Sequence, residues 1–197
     1  MAGKKGSKAE RVILGLDPGT AVMGYGLIAE NQGVLSLISL GVIRLEKYEN
    51  QALKLTRIFE RTRALIAEYL PDCVALEDPF YGKNVQVMLK LGRAQGVAMA
   101  AALEKEIPIF EYAPKKIKQS ITGRGSATKE QVAAMLKQLL KFEESGPFLD
   151  ATDGLAVAVC HAFQNFVTEA TGATTSKGRK SVSSWEAFVK DNPSKIK

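Results

Sequence analysis

From Val12 to Leu16 the chain is apolar apart from Gly15, and the run stops at Asp17, immediately before Pro18-Gly19. A continuous apolar stretch is the mark of a strand buried on both faces, and Pro-Gly marks a turn. Two further stretches, AVMGYGLIAE and GVLSLISLGVIRL, flank the turn signal Asn31-Gln32-Gly33, so the first part of the chain predicts a three-stranded antiparallel meander. The period then changes. Over residues 51 to 70, Leu53, Ile58, Leu65, Ile66 and Tyr69 recur near helical spacing among charges, and Pro71-Asp72 ends the pattern. CVALEDPF reads as a short strand that again runs into acids, Glu77 and Asp78; residues 84 to 104 read as a long helix and IPIFEY as a strand. Helices are predicted over residues 128 to 140 and 150 to 166. Strands reached by helical crossovers lie parallel. The expected fold is therefore α/β: a mixed five-stranded sheet, a meander plus parallel strands, flanked by helices. Sites in such sheets collect beyond the carboxyl ends of strands, where Asp17 and Glu77 both fall.

The last helix opens with DATDGLAVAVCHA, which spaces Asp150 and Asp153 three apart on one helix face. Taken singly, Asp17 starts a turn and the helix acids favour a positive helix end. Taken together, two acids end strands and two share a helix face beside the sheet, so the four can converge. Clustered carboxylates repel and raise one another's pKa unless a positive charge lies between them. A divalent cation such as Mg²⁺ takes such hard oxygen ligands, and a pair of these ions serves phosphodiester hydrolysis.

Composition changes this picture only at the ends. Of the net charge of +6, residues 1 to 11 carry +3 and residues 168 to 197 another +3, which leaves a balanced body between basic termini. The expected organisation is a basic extension over 1–10, one nuclease domain over 11–167 and a basic tail over 168–197. The tail composition TEATGATTSKGRKSV predicts disorder, and SVSSWEAFVK, with Ser183, Glu186, Trp185, Phe188 and Val189, adds a possible short helix. Two separated cysteines in apolar contexts suit core positions in a reducing compartment. No signal peptide or membrane-spanning run is legible, so a soluble cytoplasmic protein without membrane contact is expected.

Five ordered blocks, ILGLDPGTAVMGYGLI, VALEDPFYGKN, LKLGRAQGVAMAAAL, FEYAPKKIKQSITGRGSATKEQV and DATDGLAVAVCHA, resemble the bacterial Holliday-junction resolvases of the RuvC family from about Val12 to about His161. The resemblance implies a ribonuclease H-like fold, a homodimer, and paired incision of four-way junction DNA with Mg²⁺ or Mn²⁺, two ions per site. It also implies cooperation with a branch-migration motor. Carried over, the catalytic and metal-binding acids are Asp17, Glu77, Asp150 and Asp153. Phe80 and Tyr81, in a Pro/Gly-flanked loop, are expected to meet bases, and Lys83 a phosphate. Lys115, Lys116, Lys118, Arg124 and Lys129 form a basic run expected to bind DNA. Thr128 to Gln131 is a capping box, and Lys129 falls in the first turn of its helix, where a phosphate would offset the unfavourable dipole.

The helix over 84 to 104 is apolar nearly all round, and Gly92 and Gly96 permit close approach of a second helix. A dimer interface is expected there, at Met88, Leu89, Gly92 and Gly96. His161, the sole histidine, reads as a structural residue. Three other readings share parts of this pattern: a shorter resolvase-like nuclease of the same fold, an actin-like ATPase that would need a second such domain, and a junction-binding module without chemistry.

Overall fold

The computed structural model describes residues 10–78, 84–142 and 149–170, with side chains as far as residue 164. Phe80, Tyr81 and Lys83, the N-terminal extension up to residue 9 and the tail from residue 171 lie outside the described residues. Residues up to Gln164 belong to one compact unit, and from Asn165 onward the chain belongs to a second.

Three strands come first: β1 (Arg11–Asp17), β2 (Val22–Asn31) and β3 (Val34–Arg44). Helix α1 (Gln51–Tyr69), strand β4 (Cys73–Glu77), helix α2 (Val85–Leu103) and strand β5 (Ile109–Tyr112) follow. The sheet order is β3-β2-β1-β4-β5. The meander is antiparallel, while β1–β4 and β4–β5 are parallel, as expected. At the hairpin, Gln32 and Gly33 both take positive φ, 52° and 89°, the twist that closes a tight two-residue turn.

Side-chain parity divides the sheet into two faces. Leu14, Leu16, Tyr25, Val74 and Leu76 pack on one side with Ile58 and Leu65 of α1 and Ala94 and Ala98 of α2. The alternate positions, Gly15 and Asp17 of β1 and Gly24 and Gly26 of β2, are cross-strand partners and share the other face. That face carries the last helix, α5 (Leu149–Ala170). A Cβ at Gly15 would stand 2.2 Å from the Gly154 carbonyl oxygen, one at Gly24 1.9 Å from that of Asp150, and one at Gly26 2.4 Å from Leu155 Cα. Helix backbone therefore lies directly on strand backbone, closer than any side chain allows.

Between β5 and α5 the chain forms two helices, where the sequence pattern predicts one. Residues Pro114–Thr122 form α3, missed because lysines dominate PKKIKQSIT; yet Pro114 is pre-set for a first turn, Ile117 and Ile121 bury one face, and Gly123 caps the end at φ 76°. Helix α4 (Lys129–Leu140) begins where expected, with the Thr128–Gln131 capping box formed in both directions. Helix α5 begins one residue earlier and extends further than the predicted 150 to 166. Among the described residues no helix is long and apolar enough to cross a membrane, and both cysteines are free and buried.

The backbone contact gives a direct test. Gly15→Ala is expected to lower stability by about 1–3 kcal/mol, the usual cost of overpacking, measured by urea unfolding; an unchanged midpoint would show that α5 sits further from β1.

Candidate active site

Strand pairing brings the first two acids together. Leu16 of β1 lies beside Leu76 of β4 in parallel register, so the next residues, Asp17 and Glu77, emerge side by side from the carboxyl edge of the sheet. Both have the parity of the face that receives α5. The glycine contact then lowers the first turns of α5 onto that edge and brings Asp153 to the same place. Asp17, Glu77 and Asp153 line one cavity of about 160 Å³. Lys118 of α3 and Lys129 of α4 complete its polar lining, with Pro114, Ile117, Val132 and Ala156 as apolar wall. Lys54 Nζ donates to the Thr20 carbonyl at 3.2 Å, bracing the turn that follows Asp17.

Of the four predicted acids, Asp150 stands apart. It is exposed and does not line the cavity, although its charge is felt at Asp17 and Asp153. Lys129, expected to meet a phosphate, donates its Nζ to Asp153 Oδ2, because the capping box starts α4 at the cavity rim. Lys115, Lys116 and Arg124 are exposed. Lys118 alone of the α3 lysines enters the cavity, since Pro114 and Ile117 turn that side of the helix inward.

The electrostatics follow from burial. Burial, then the charges of Glu77 and Asp153, push Asp17 up to about 8 against the opposing pull of Lys129. Burial and Asp153 push Glu77 up to about 7, while Lys129 and Lys118 pull it down. Burial also raises Asp153, in spite of its bond to Lys129. For Lys129, burial works to lower the pKa, but the hydrogen bond and charge of Asp153, with Asp17 and Asp150 behind, raise it. Two lysines do not balance the buried carboxylates.

Residues 13–161 match the family of the crossover junction endodeoxyribonuclease RuvC. The chain belongs to this family. It is 60% identical over 190 residues to the RuvC protein of Cytophaga hutchinsonii, covering 95% of this chain and 89% of that one. With the RuvC protein of Porphyromonas gingivalis it shares 54% over 193 residues, covering 97% and 100%. Its fold superposes with a TM-score of 0.74 on Thermus thermophilus RuvC in complex with Holliday junction substrate, at 30% identity, covering 80% of this chain and 96% of that one.

In this RuvC-family chain the acids facing the cavity offer carboxylate oxygens, the ligands a hard divalent cation takes, and the burial, with the mutual charge behind it, that raises their pKa values is what such an ion would offset. The set fits a cation in ligand type and charge. Among the described residues no three His, Cys, Asp or Glu side chains are already grouped around one point, and Lys129 holds an oxygen of Asp153. Ligation by these acids would therefore need their side chains to reorient within the cavity. The sequence reading missed the glycines that seat α5. Their signal was Gly24-x-Gly26, spaced two apart on one face, with Gly15 opposite Gly26.

An acid whose folded pKa is raised weakens the fold as pH climbs from its unfolded value, 3.8 for Asp17, through about 8. Metal-free Asp17→Asn is therefore expected to be more stable than wild type at pH 8, by on the order of 2 kcal/mol, with the gap closing towards pH 4. Denaturant titrations in EDTA at several pH values measure this, and a pH-independent gap would contradict the burial of that charge.

Proposed function

We infer that this chain is a crossover junction endodeoxyribonuclease that resolves four-way Holliday junctions in homologous recombination and DNA repair. The observation that carries the reading is the meeting of Asp17, Glu77 and Asp153 with Lys118 and Lys129 in one cavity, in a chain of the RuvC family. Asp17, Glu77, Asp150 and Asp153 would hold Mg²⁺ or Mn²⁺, two ions per site. When bound, such ions supply positive charge to the reacting phosphodiester and lower the pKa of water.

The chain's own residues do the rest. Asp17 and Glu77, rooted in adjacent strands, form the rigid side of the site, and Asp153 is presented by α5. Lys129, an ammonium among carboxylates, holds the charge of Asp153 until the substrate phosphate offers an alternative partner. Lys118, on the facing helix, takes a non-bridging phosphate oxygen. Lys115, Lys116 and Arg124, all exposed, contact neighbouring phosphates and position the junction without reading its sequence. Phe80 and Tyr81 stack on bases near the crossover, and Lys83 meets a phosphate there.

A homodimer gives two such sites related by a two-fold axis, as two equivalent strands require. Its interface is α2. Leu89, Gly92 and Gly96 are exposed along one side, together with Val85 and Leu103 at 66% and 61% exposure, and Met88 lies beside them. A Cβ at Gly92 or Gly96 would meet nothing within 4 Å, so neither glycine answers a need within the protomer. A branch-migration motor completes the assembly, and the cytoplasm is its compartment.

A synthetic mobile four-way junction in Mg²⁺ or Mn²⁺ tests the reading. Wild type is expected to nick opposite strands symmetrically; Asp17→Asn is expected to lose roughly a hundredfold or more in rate while still binding the junction. Equal cutting of linear duplex and junction would overturn it. The dimer is tested separately by Leu89→Glu, expected to convert a dimer into a monomer in sedimentation at micromolar concentration; a wild-type monomer would exclude the α2 interface.

A further inference from the structure

A second polar group is buried where α5 meets the sheet, roughly two turns beyond Asp153. His161 is 1% exposed. The Arg11 guanidinium donates from Nη2 to His161 Nε2. A guanidinium can only donate, so Nε2 carries a lone pair and the neutral ring carries its proton on Nδ1. That proton is directed at the Tyr112 hydroxyl oxygen, 2.7 Å away. The ring also stands 4.3 Å from the Phe110 ring. Burial and the nearby Arg11 charge hold the imidazole down at about 4, so it is neutral at ordinary pH.

The partners of His161 come from the elements that carry the acids. Arg11 opens the strand that ends at Asp17. Tyr112 is the register partner of Glu77, and its carbonyl accepts from the Asp78 amide at 2.9 Å. His161 itself lies on the helix that begins with Asp150 and Asp153. The glycine contact brings these elements close, with the Cβ atoms of Ala158 and Leu155 seated against Gly15 and Gly26, but these contacts are apolar and carry little direction. The two hydrogen bonds of His161 are directional and reach two different strands, β1 and β5.

We propose that His161 is a positioning residue whose Nδ1–H tautomer, bonded to Arg11 and Tyr112, sets the axial register of α5 and with it the placement of Asp150 and Asp153 against Asp17 and Glu77. The proposal rests on the reading of those four acids as the cation site.

The chain has a single histidine, so ¹⁵N-histidine labelling of the full chain reads its tautomer without ambiguity. Protonation at Nδ1 is expected, and a ring protonated at Nε2 would overturn the proposal. The second readout is calorimetric Mn²⁺ binding, with junction affinity measured in EDTA alongside. His161→Leu is expected to bind Mn²⁺ about tenfold more weakly with unchanged junction affinity. His161→Gln, which can accept from Arg11 and donate to Tyr112, is expected to restore most of the loss. Should His161→Leu not fold, Tyr112→Phe, which keeps the aromatic packing, carries the same expectation. Wild-type Mn²⁺ affinity in the variant, or parallel loss of junction affinity, would reduce His161 to a general structural role. An Asp17→Asn control separates the two levels: if it binds Mn²⁺ like wild type, the cation-site reading itself has failed.

Discussion

The contact between the backbone of α5 and the backbones of β1 and β2 is the constraint on which the site depends. Elsewhere in the molecule helices rest on the sheet through side chains, as Ile58, Leu65, Ala94 and Ala98 do on the opposite face, and small adjustments there move nothing important. At Gly15, Gly24, Gly26 and Gly154 no side chain stands between the elements. Asp153, near the start of α5, is thereby carried to the strand acids Asp17 and Glu77 at the sheet edge. Had any of these positions held a side chain, the helix would stand off, and the carboxylates would occupy separate solvated places on the surface.

Bringing them together works against the fold. Asp17 and Glu77 lose hydration, both face the charge of Asp153 and Asp17 that of Glu77 as well, and the lysines from α3 and α4 offset only part of the cost. Such strain is tolerated because the surrounding sheet is over-determined: the strands bearing the two acids are central, paired on both sides, with their other face sealed by two helices. Stability is drawn from the apolar face, and chemistry is placed on the other. This division explains how a chain of ordinary hydrophobicity can hold a concentrated charge cluster at an edge without unfolding around it.

Most of this architecture was legible in the sequence because the strongest signals coincide with the strongest forces. Buried parallel strands demand unbroken apolar runs, and an acid ending such a run, as Asp17 and Glu77 do, is conspicuous. Helix α3 was hidden because its lysines suggested a solvated loop, while only Ile117 and Ile121 carried the helical period. The Lys129–Asp153 pairing was illegible for a different reason. It joins first turns of two helices whose mutual placement is set by packing, which a linear pattern does not encode. The glycine seat was written in the chain at positions 15, 24 and 26, but its meaning appears only once β1 and β2 are paired and Gly15 is seen to stand opposite Gly26. His161 was read as structural, and its bonded partners lie far away along the chain, beyond the reach of local spacing.

The raised pKa values of Asp17 and Glu77 give the cavity a chemical character of its own. With one carboxyl pushed up to about 8 and its neighbour to about 7, the cavity near neutrality holds hydrogen ions as well as carboxylate charge. A cation bound there would have to displace those hydrogen ions. Its apparent affinity would therefore climb with alkalinity, although the cation itself does not titrate. Acidity of the medium would then act as a competitor for the same oxygens.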